Sequence, residues 1–186
     1  MSRDLKARGH RVIAVDASAT MVRYASEADP SIEALVADAA DLPFGDGLAD
    51  LVISFMSLQD TDDMPAAIRE TARVLTPGGC YCVAIVHPIN SAGAFASQAA
   101  GAAFSIEGDY LSDHGVTERV ERDGLSLTFH QRHRPLQDYA RALEDSGFVI
   151  EAIREPTVDE GSVRERADRA RWRRLPLFLD LRARKI

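Results

Sequence analysis

The sequence has few cysteines, few aromatic side chains and no long apolar run. Its 186 residues include two cysteines and one tryptophan, and the aromatic fraction is 6%. Two cysteines are too few for the disulfide framework that supports many small secreted domains. No apolar run approaches the roughly 20 residues that cross a bilayer. We therefore expect a cytoplasmic protein without a membrane partner.

Positive charge is also scarce, since 22 Lys and Arg residues stand against 29 Asp and Glu residues and give a net charge of −7. This balance argues against a general nucleic-acid-binding surface. The hydrophobic fraction of 46% is ordinary for a globular protein. The length predicts one domain over residues 1–186, large enough to bury a hydrophobic core.

The two cysteines lie two residues apart on one side of a predicted strand, as Cys80 and Cys82. This spacing forms neither a disulfide framework nor a complete metal site. We interpret both as reduced core residues and predict no metal ion.

Apolar strand-like runs alternate with helical segments, which is the pattern of a parallel sheet covered by helices. The fourth run is almost continuously apolar, so we expect it to be buried on both faces. The turn Pro77-Gly78-Gly79 is expected to end the helix before that run. The predicted strands are residues 11–15, 33–37, 50–54, 81–86, 148–154 and 176–183, and the predicted helices are residues 19–28, 64–75 and 136–146.

The alternation breaks over residues 88–134, where Asp123-Gly124 between two strand-like runs predicts a tight hairpin. A connection of this length is too long for a plain loop, so we predict a cap or lid insertion. Its apolar residues either line a substrate pocket or pack the cap itself, and both interpretations are open. These residues are Phe95, Phe104, Ile106, Tyr110, Leu127 and Phe129.

A highly charged stretch over residues 159–174 carries six arginines between Arg164 and Arg174, together with the acids Glu160, Glu165 and Asp168. One interpretation is a solvated amphipathic helix. The other is a face that binds RNA or phosphate.

Two acids follow neighbouring predicted strands. Asp16 closes the first strand, and Asp38 follows the second strand 22 residues later. The carboxyl ends of parallel strands form the edge where such sheets bind ligands. A single acid at such a position is either a helix cap or a ribose ligand, and the pair favours a nucleoside site.

A longer set of strings carries a family resemblance. The segments VDASATMVRYA, ADAADLPFGDGLADLVISFMSLQD and RETARVLTPGG resemble the class I S-adenosylmethionine-dependent methyltransferases. The resemblance is to the type 11-like group of small-molecule enzymes, which includes the methyltransferases of ubiquinone and menaquinone biosynthesis. The later segments RPLQDYARALEDSGF and LPLFLDLRARK fit the same resemblance. A nicotinamide-dependent oxidoreductase would share Asp16 but not this second half.

The resemblance implies an α/β, Rossmann-like sheet that is mostly parallel with an antiparallel last strand, and S-adenosylmethionine as the cofactor. It assigns the carboxylate of Asp16 to the ribose hydroxyls and that of Asp38 to the adenine. The other residues that it assigns to the cofactor pocket are Ala17, Met21, Ala39, Ser54 and Phe55, with Met56 and Leu58 beyond them.

The implied reaction is in-line methyl transfer to O, N or C of a small molecule, which needs the acceptor about 3 Å from the methyl group. A base is needed only when the acceptor must lose a proton. His87, at the end of the fourth strand, is the predicted base, and a histidine satisfied by the turn before Pro88 is the alternative. Tyr110, His114, His130 and His133 are further candidates in or beside the cap.

Three residues are predicted to contact the substrate, namely Tyr110, His133 and Arg134. For Arg134, binding of an anionic substrate group and capping of the next helix are equally open.

One part of the family pattern does not occur in the sequence: the first strand with its glycine-rich loop, expected just before the helix of residues 2–10. That strand would lie between residues 11–15 and 50–54. Either the functional polypeptide is longer, or the chain is an N-terminally truncated, catalytically silent remnant that binds a partner strand or forms a homodimer. We expect the chain as given to bind S-adenosylmethionine weakly or not at all, and an extended form to bind it.

Overall fold

The computed structural model of the chain describes residues 1–122 and 125–186. Asp123 and Gly124, on which the predicted hairpin turn falls, lie outside the described residues. The side chains of Leu127, Phe129 and His130 lie outside them as well.

The N-terminal part of the chain is a small unit of two helices and two strands. Helix α1 (Ser2–Ala7) leads into strand β1 (Ile13–Asp16), and helix α2 (Ala19–Ala28) leads into strand β2 (Glu33–Val36). The two strands pair in parallel, from Ile13 opposite Glu33 to Asp16 opposite Val36. Ser18 begins α2 as its N-cap, since its hydroxyl accepts a hydrogen bond from the Met21 amide at 3.4 Å.

The larger part of the chain is built on a four-stranded sheet in the order β3-β4-β10-β9. Its strands are β3 (Ala49–Phe55), β4 (Leu75–Val86), β9 (Phe148–Arg154) and β10 (Phe178–Lys185). Strands β3 and β4 are parallel, and β10 runs antiparallel to both of its neighbours. The Rossmann-like fold class with an antiparallel last strand is therefore confirmed.

Helices α3 (Met64–Val74) and α5 (Leu136–Asp145) cover one face of this sheet and close the hydrophobic core. Asp63 begins α3 as its N-cap by accepting a hydrogen bond from the Ala66 amide at 2.9 Å. Burial of each large apolar side chain in such a core contributes about 1.5–3 kcal/mol. The largest buried side chains of the core are Met64, Ile68, Leu75, Tyr81, Ile85, Leu143 and Leu179.

The opposite face of the sheet is only partly covered, so the prediction that the fourth strand is buried on both faces is wrong. Along β4 the side chains alternate between buried and half-buried, as expected when helices pack on one face only. Cys80 and Cys82 lie on the half-buried side as free thiols, with their sulfur atoms 3.8 Å apart. They are reduced, but they are not core residues. Burial raises the pKa of Cys82 to about 11.

The Pro77-Gly78-Gly79 segment lies inside β4 rather than between a helix and a strand. Helix α3 ends at Val74, and pairing with β3 resumes beyond an irregularity between the pairs Ala49–Leu75 and Leu51–Cys80. Gly78 has a φ of 75°, a conformation that glycine adopts without steric cost. The segment is thus a local bulge of the strand.

The insertion between β4 and α5 contains a single-turn helix and two antiparallel pairs of strands. The elements are α4 (Pro88–Ser91), β5 (Gly93–Phe95), β6 (Phe104–Ile106), β7 (His114–Arg122) and β8 (Leu125–His133). Phe95 and Phe104 pack edge to face with ring centroids 5.1 Å apart, so these two side chains contribute to the packing of the insertion. Its role as a cap stays a prediction.

The charged stretch before the last strand is not one amphipathic helix, contrary to the first of the two interpretations. Helix α6 (Glu160–Glu165) ends at Arg166, whose extended backbone separates it from a 3₁₀ helix over Ala167–Arg173. The ring of Trp172 packs edge to face on Phe95 with centroids 4.8 Å apart. The stretch therefore packs against the insertion instead of being fully solvated.

Several arginines of this stretch are paired with its own acids. Arg166 contacts Asp168 at 2.8 Å, and the other pairs are Arg169–Glu165 and Arg173–Glu160. This neutralisation favours the interpretation as a structural segment over the one as a phosphate-binding face.

Candidate functional site

The carboxyl ends of three parallel strands meet at one edge of the four-stranded sheet. Strand β3 ends at Phe55, β4 at Val86 and β9 at Arg154, and the residues that follow them are Met56, His87 and Glu155. In open α/β sheets, ligands bind outside this edge.

Met56 follows β3 in a strained backbone conformation. Its φ of 53° lies in the left-handed region, and its amide donates a hydrogen bond to the Ala84 carbonyl at 2.7 Å. A non-glycine residue in such a region costs about 1–3 kcal/mol and typically occurs where the chain is held for a functional reason. The strain marks this strand end within the site.

Asp16 and Asp38 lie at the ends of the paired strands β1 and β2. The Ala37 amide donates to the Asp16 carbonyl at 3.2 Å, so the chain after β2 is tied directly to the end of β1. Oδ1 of Asp16 accepts a hydrogen bond from the Ser18 amide at 2.8 Å, and Oδ1 of Asp38 accepts one from the Ala40 amide at 2.9 Å. These turns fix the direction of both carboxylates.

The two carboxylates suit the nucleoside end of the cofactor that the sequence predicts. Both residues are exposed, and within the described part of the chain Oδ2 of each forms no hydrogen bond. Ribose hydroxyls and the adenine amino group are hydrogen-bond donors, whereas a carboxylate only accepts. The pocket residues predicted beside them, Ala17, Met21 and Ala39, are exposed as well.

The structure separates the side chains of Ser54 and Phe55, the two predicted residues of the cofactor pocket at the end of β3. The hydroxyl of Ser54 lies 2.9 Å from the hydroxyl of buried Tyr81, so the Ser54 side chain faces the core. Phe55 points to the opposite side and is 58% exposed. Ser54 therefore offers this edge its backbone rather than its hydroxyl, and the assignment of both residues to the cofactor pocket stays a prediction.

Both ring nitrogens of His87 have partners. Nδ1 accepts a hydrogen bond from the Ile89 amide at 3.1 Å, so the neutral ring carries its proton on Nε2, which lies 3.0 Å from Oε1 of Glu155. Burial lowers the pKa of His87, and the carboxylate of Glu155 partly opposes this shift. The alternative to a catalytic base is a histidine whose hydrogen bonds are made by the turn at Pro88, and the contact with the Ile89 amide fits this alternative. A role as a base stays a prediction.

Glu155 was missed by the sequence analysis. It comes directly after β9, at the edge where the other candidate residues lie, and more than half of its side chain is exposed. Its position at the end of a strand is the same signal that identified Asp16. Its contact with His87 is what makes Glu155 a candidate, and these two residues are far apart in the sequence.

Tyr110 and His133 connect the insertion to the core. His133 is fully buried, with Nε2 donating to the Tyr110 carbonyl at 2.8 Å and Nδ1 lying 2.8 Å from the Ser91 hydroxyl. The hydroxyl of Tyr110 accepts a hydrogen bond from the Leu136 amide at 3.2 Å. The polar groups of both residues are thus used within the protein, and their contact with a substrate stays a prediction.

Arg134 is also buried and binds backbone carbonyls of the turn that follows β3. Its Nη2 donates to the carbonyls of Thr61 and Asp62 at 2.6 and 3.0 Å, and its Nη1 donates to that of Gln59 at 3.3 Å. Its Nε lies 3.7 Å from a carboxylate oxygen of Asp113. The guanidinium therefore holds the turn between β3 and α3 in place.

A cavity of about 280 Å³ lies away from the paired acids, between the beginning of α3 and the helix α5. Charged side chains of both signs line it, including Asp62, Arg69, Asp138 and Arg141. Over residues 1–122 and 125–186 we find no group of histidine, cysteine or acidic side chains arranged to hold a metal ion. No helix in those residues is long and apolar enough to cross a membrane.

Comparisons with known proteins find similarity to methyltransferases. A family described as "Methyltransferase domain" matches residues 1–83. A probable S-adenosylmethionine-dependent methyltransferase of Mycobacterium tuberculosis is 35% identical over 143 residues, which are 77% of this chain and 42% of that protein. A malonyl-[acyl-carrier protein] O-methyltransferase of Pectobacterium atrosepticum is 35% identical over 83 residues, or 45% of this chain and 33% of that protein.

Among solved structures, an S-adenosylmethionine-dependent methyltransferase from Mesorhizobium loti has 25% identity and a TM-score of 0.78. The match covers 98% of this chain and 84% of that one. By contrast, the chain spans less than half the length of the two curated relatives above.

Proposed function

Because the chain belongs to the class I S-adenosylmethionine-dependent methyltransferases, we propose that it binds the nucleoside of S-adenosylmethionine at Asp16 and Asp38. We further propose that it transfers the methyl group to a small-molecule acceptor at the edge formed by β3, β4 and β9. The bound cofactor supplies a methyl group activated by a positively charged sulfur.

The single observation that carries the proposal is the pair of exposed carboxylates at the ends of two paired parallel strands. Each is oriented by a turn through one oxygen, and its second oxygen is available to a hydrogen-bond donor of the nucleoside. Hydrogen bonds that involve an ionised acceptor contribute about 1.5–3 kcal/mol each. Two such contacts account for specific recognition of an adenosine moiety.

The His87–Glu155 pair is the proposed destination of a proton that the acceptor loses. The neutral imidazole donates Nε2–H to Glu155, and its Nδ1 is already an acceptor for Ile89. The carboxylate of Glu155 is therefore the group of this pair that can still accept a proton from the methyl acceptor. His87 would then orient Glu155, and the exposed side chain of Phe55 would contact the acceptor or the methyl donor.

The nature of the acceptor and the location of the protein are part of the same proposal. The acid-rich composition argues against a nucleic-acid acceptor, and we extend the proposal to a small organic acceptor and a cytoplasmic location. A homodimer is proposed because β9 is the last strand in its sheet and exposes Val149 and Ile153. Light scattering after size exclusion measures the dimer directly.

The proposal is tested with labelled S-adenosylmethionine and a fractionated cell extract. We expect transfer of label to a low-molecular-weight fraction when the cofactor concentration is high enough for the weak binding expected from the sequence, and a strong loss of transfer in D16N and D38N. The matched control is D41N, which removes the same charge from an exposed acid in the same turn as Asp38. Binding of the cofactor without transfer to any fraction would contradict the enzymatic function, and equal transfer by D16N and D41N would contradict the assigned site.

A further inference from the structure

We propose that Glu70 and Arg73 of α3 are positioning residues for the nucleoside site: they hold the loop of residues 42–47, and through it Asp38, against the four-stranded sheet. The assignment of Asp38 to the adenine rests on the proposed function above. The clamp itself is an arrangement of this chain and is tested separately.

Arg73 and Glu70 form a bidentate ion pair on the surface of α3. Nε of Arg73 lies 2.8 Å from Oε1 of Glu70, and Nη2 lies 2.7 Å from Oε2. Only about a fifth of the Glu70 side chain and a third of the Arg73 side chain are exposed, at 19% and 31%. The fork of the guanidinium is thus held in one orientation, with its remaining N–H groups directed at the loop.

The loop receives three hydrogen bonds from the guanidinium. Nη1 of Arg73 donates to the Phe44 carbonyl at 2.6 Å and to the Asp46 carboxylate at 2.9 Å, and Nη2 donates to the Leu42 carbonyl at 3.0 Å. Oε2 of Glu70 accepts a hydrogen bond from the Leu42 amide at 2.9 Å. The two side chains therefore hold both backbone polar groups of Leu42.

The backbone of Arg73 adds a further contact, because its carbonyl accepts a hydrogen bond from the Gly47 amide at 3.0 Å. The pKa of Glu70 is lowered to about 2, chiefly by its hydrogen bonds with Arg73, so this acid is ionised at neutral pH. The loop is consequently held at its start and at its end by one turn of α3.

The position of this loop controls where Asp38 lies relative to the methyl-transfer edge. Strand β1 pairs with β2 and belongs to a sheet separate from the one that contains β3, and the loop is the stretch of chain that leads from β2 to β3. Asp38 begins a turn that the Asp41 amide closes on the Asp38 carbonyl at 3.1 Å, and Leu42 follows directly. Fixing Leu42 therefore limits the movement of Asp38.

The chain contains a matched control for this clamp. Glu151 accepts hydrogen bonds from Arg182 at 3.1 Å and from Arg184 at 2.5 Å, and these residues lie on β9 and β10, away from the loop. The pKa of Glu151 is lowered mainly by its hydrogen bond with Arg184, just as the pKa of Glu70 is lowered mainly by its hydrogen bonds with Arg73. E151Q thus removes a comparable charged contact without touching residues 42–47.

The experiment measures hydrogen exchange of backbone amides over residues 38–47 in the wild type, E70Q, R73K and E151Q. We expect exchange at Leu42 and Gly47 to be faster by about tenfold in E70Q and R73K, since charged hydrogen bonds hold the loop, and unchanged in E151Q. Two substitutions are used so that a folding defect of one, detected by circular dichroism, leaves the other as the test. Unchanged loop exchange in both folded variants, or an equal increase in E151Q, would overturn the clamp.

A second arm measures the affinity for S-adenosylhomocysteine in D38N, E70Q and the double variant. If Glu70 acts through Asp38, introducing E70Q into the wild type weakens the binding of S-adenosylhomocysteine by about tenfold. Introducing E70Q into D38N then causes no further loss of affinity. Additive losses would overturn the positioning role. Absence of binding by the wild type would contradict the proposed function, while the exchange result still decides whether the clamp exists.

Discussion

His87 and Glu155 join the ends of two parallel strands, β4 and β9, through a contact of 3.0 Å between Nε2 and Oε1. Strand β10 lies between β4 and β9 in the sheet, so the contact spans the beginning of β10. The His87 amide also donates a hydrogen bond to the carbonyl of Leu177, just before β10 begins. This relationship places a titratable pair at the edge of the sheet and leads to the first two predictions.

Substitution of Glu155 by Gln should lower the pKa of His87 further. Burial already lowers this pKa, and the negative charge of Glu155 is what opposes the shift. The pKa is measured from the imidazole resonances in an NMR titration, with the exposed Glu107→Gln as the control. An unchanged or raised pKa in E155Q would show that the carboxylate does not act on His87.

His87 should also make the stability of the protein depend on pH. Because its pKa in the folded state is below the value of about 6.5 in the unfolded chain, the unfolded state takes up the proton first as the pH falls. Its contribution is fully present above pH ~6.5 and is lost as the pH falls from there towards the folded pKa. In H87N, where the Asn oxygen replaces Nδ1 as acceptor, urea unfolding should show a flatter pH dependence in this range. An identical slope in the variant would contradict this account.

Glu70 should confer stability that disappears in more acidic solution. Its folded pKa of about 2 is below its value in the unfolded chain, so the contribution is present above roughly pH 5 and is lost as the pH falls towards 2. Denaturant unfolding between pH 6 and 2.5 should therefore show a weaker acid dependence in E70Q than in the wild type. The same dependence in both proteins would mean that Glu70 is not held by Arg73.

Arg134 should matter for stability whether or not it contacts a substrate. R134M removes the buried guanidinium that donates to the carbonyls of Gln59, Thr61 and Asp62, and we expect a loss of about 2–4 kcal/mol in the free energy of unfolding. The control is R132M, which removes a more exposed partner of Asp113 and should change the stability little. Equal effects of the two substitutions in chemical denaturation would argue against the buried role.

Local sequence signals predicted the elements that carry the nucleoside site. The alternation of apolar and helical segments predicted helix α2, and the strand-end positions identified Asp16 and Asp38. These features depend on a few neighbouring residues, so one sequence is enough to find them. The antiparallel strand β10 followed from the family resemblance.

Features that depend on contacts between distant residues could not be predicted. Glu155 became a candidate only through His87, and the several carbonyl partners of Arg134 lie more than 70 positions earlier in the chain. The half-buried face of β4 was misjudged because its apolar run looks the same whether one or both faces are covered. The break at Arg166 was missed because its flanking sequence keeps a helical composition.

The central claim is that Asp16 and Asp38 bind the nucleoside of S-adenosylmethionine. It is tested most directly by saturation-transfer NMR of S-adenosylhomocysteine with the wild-type chain, D16N, D38N and the control D41N, a method that also detects millimolar affinities. The account predicts saturation of the ribose H1′ and adenine protons by the wild type and D41N, and weaker saturation by D16N and D38N. Absence of saturation with the wild type, or undiminished saturation with D16N and D38N, would contradict it.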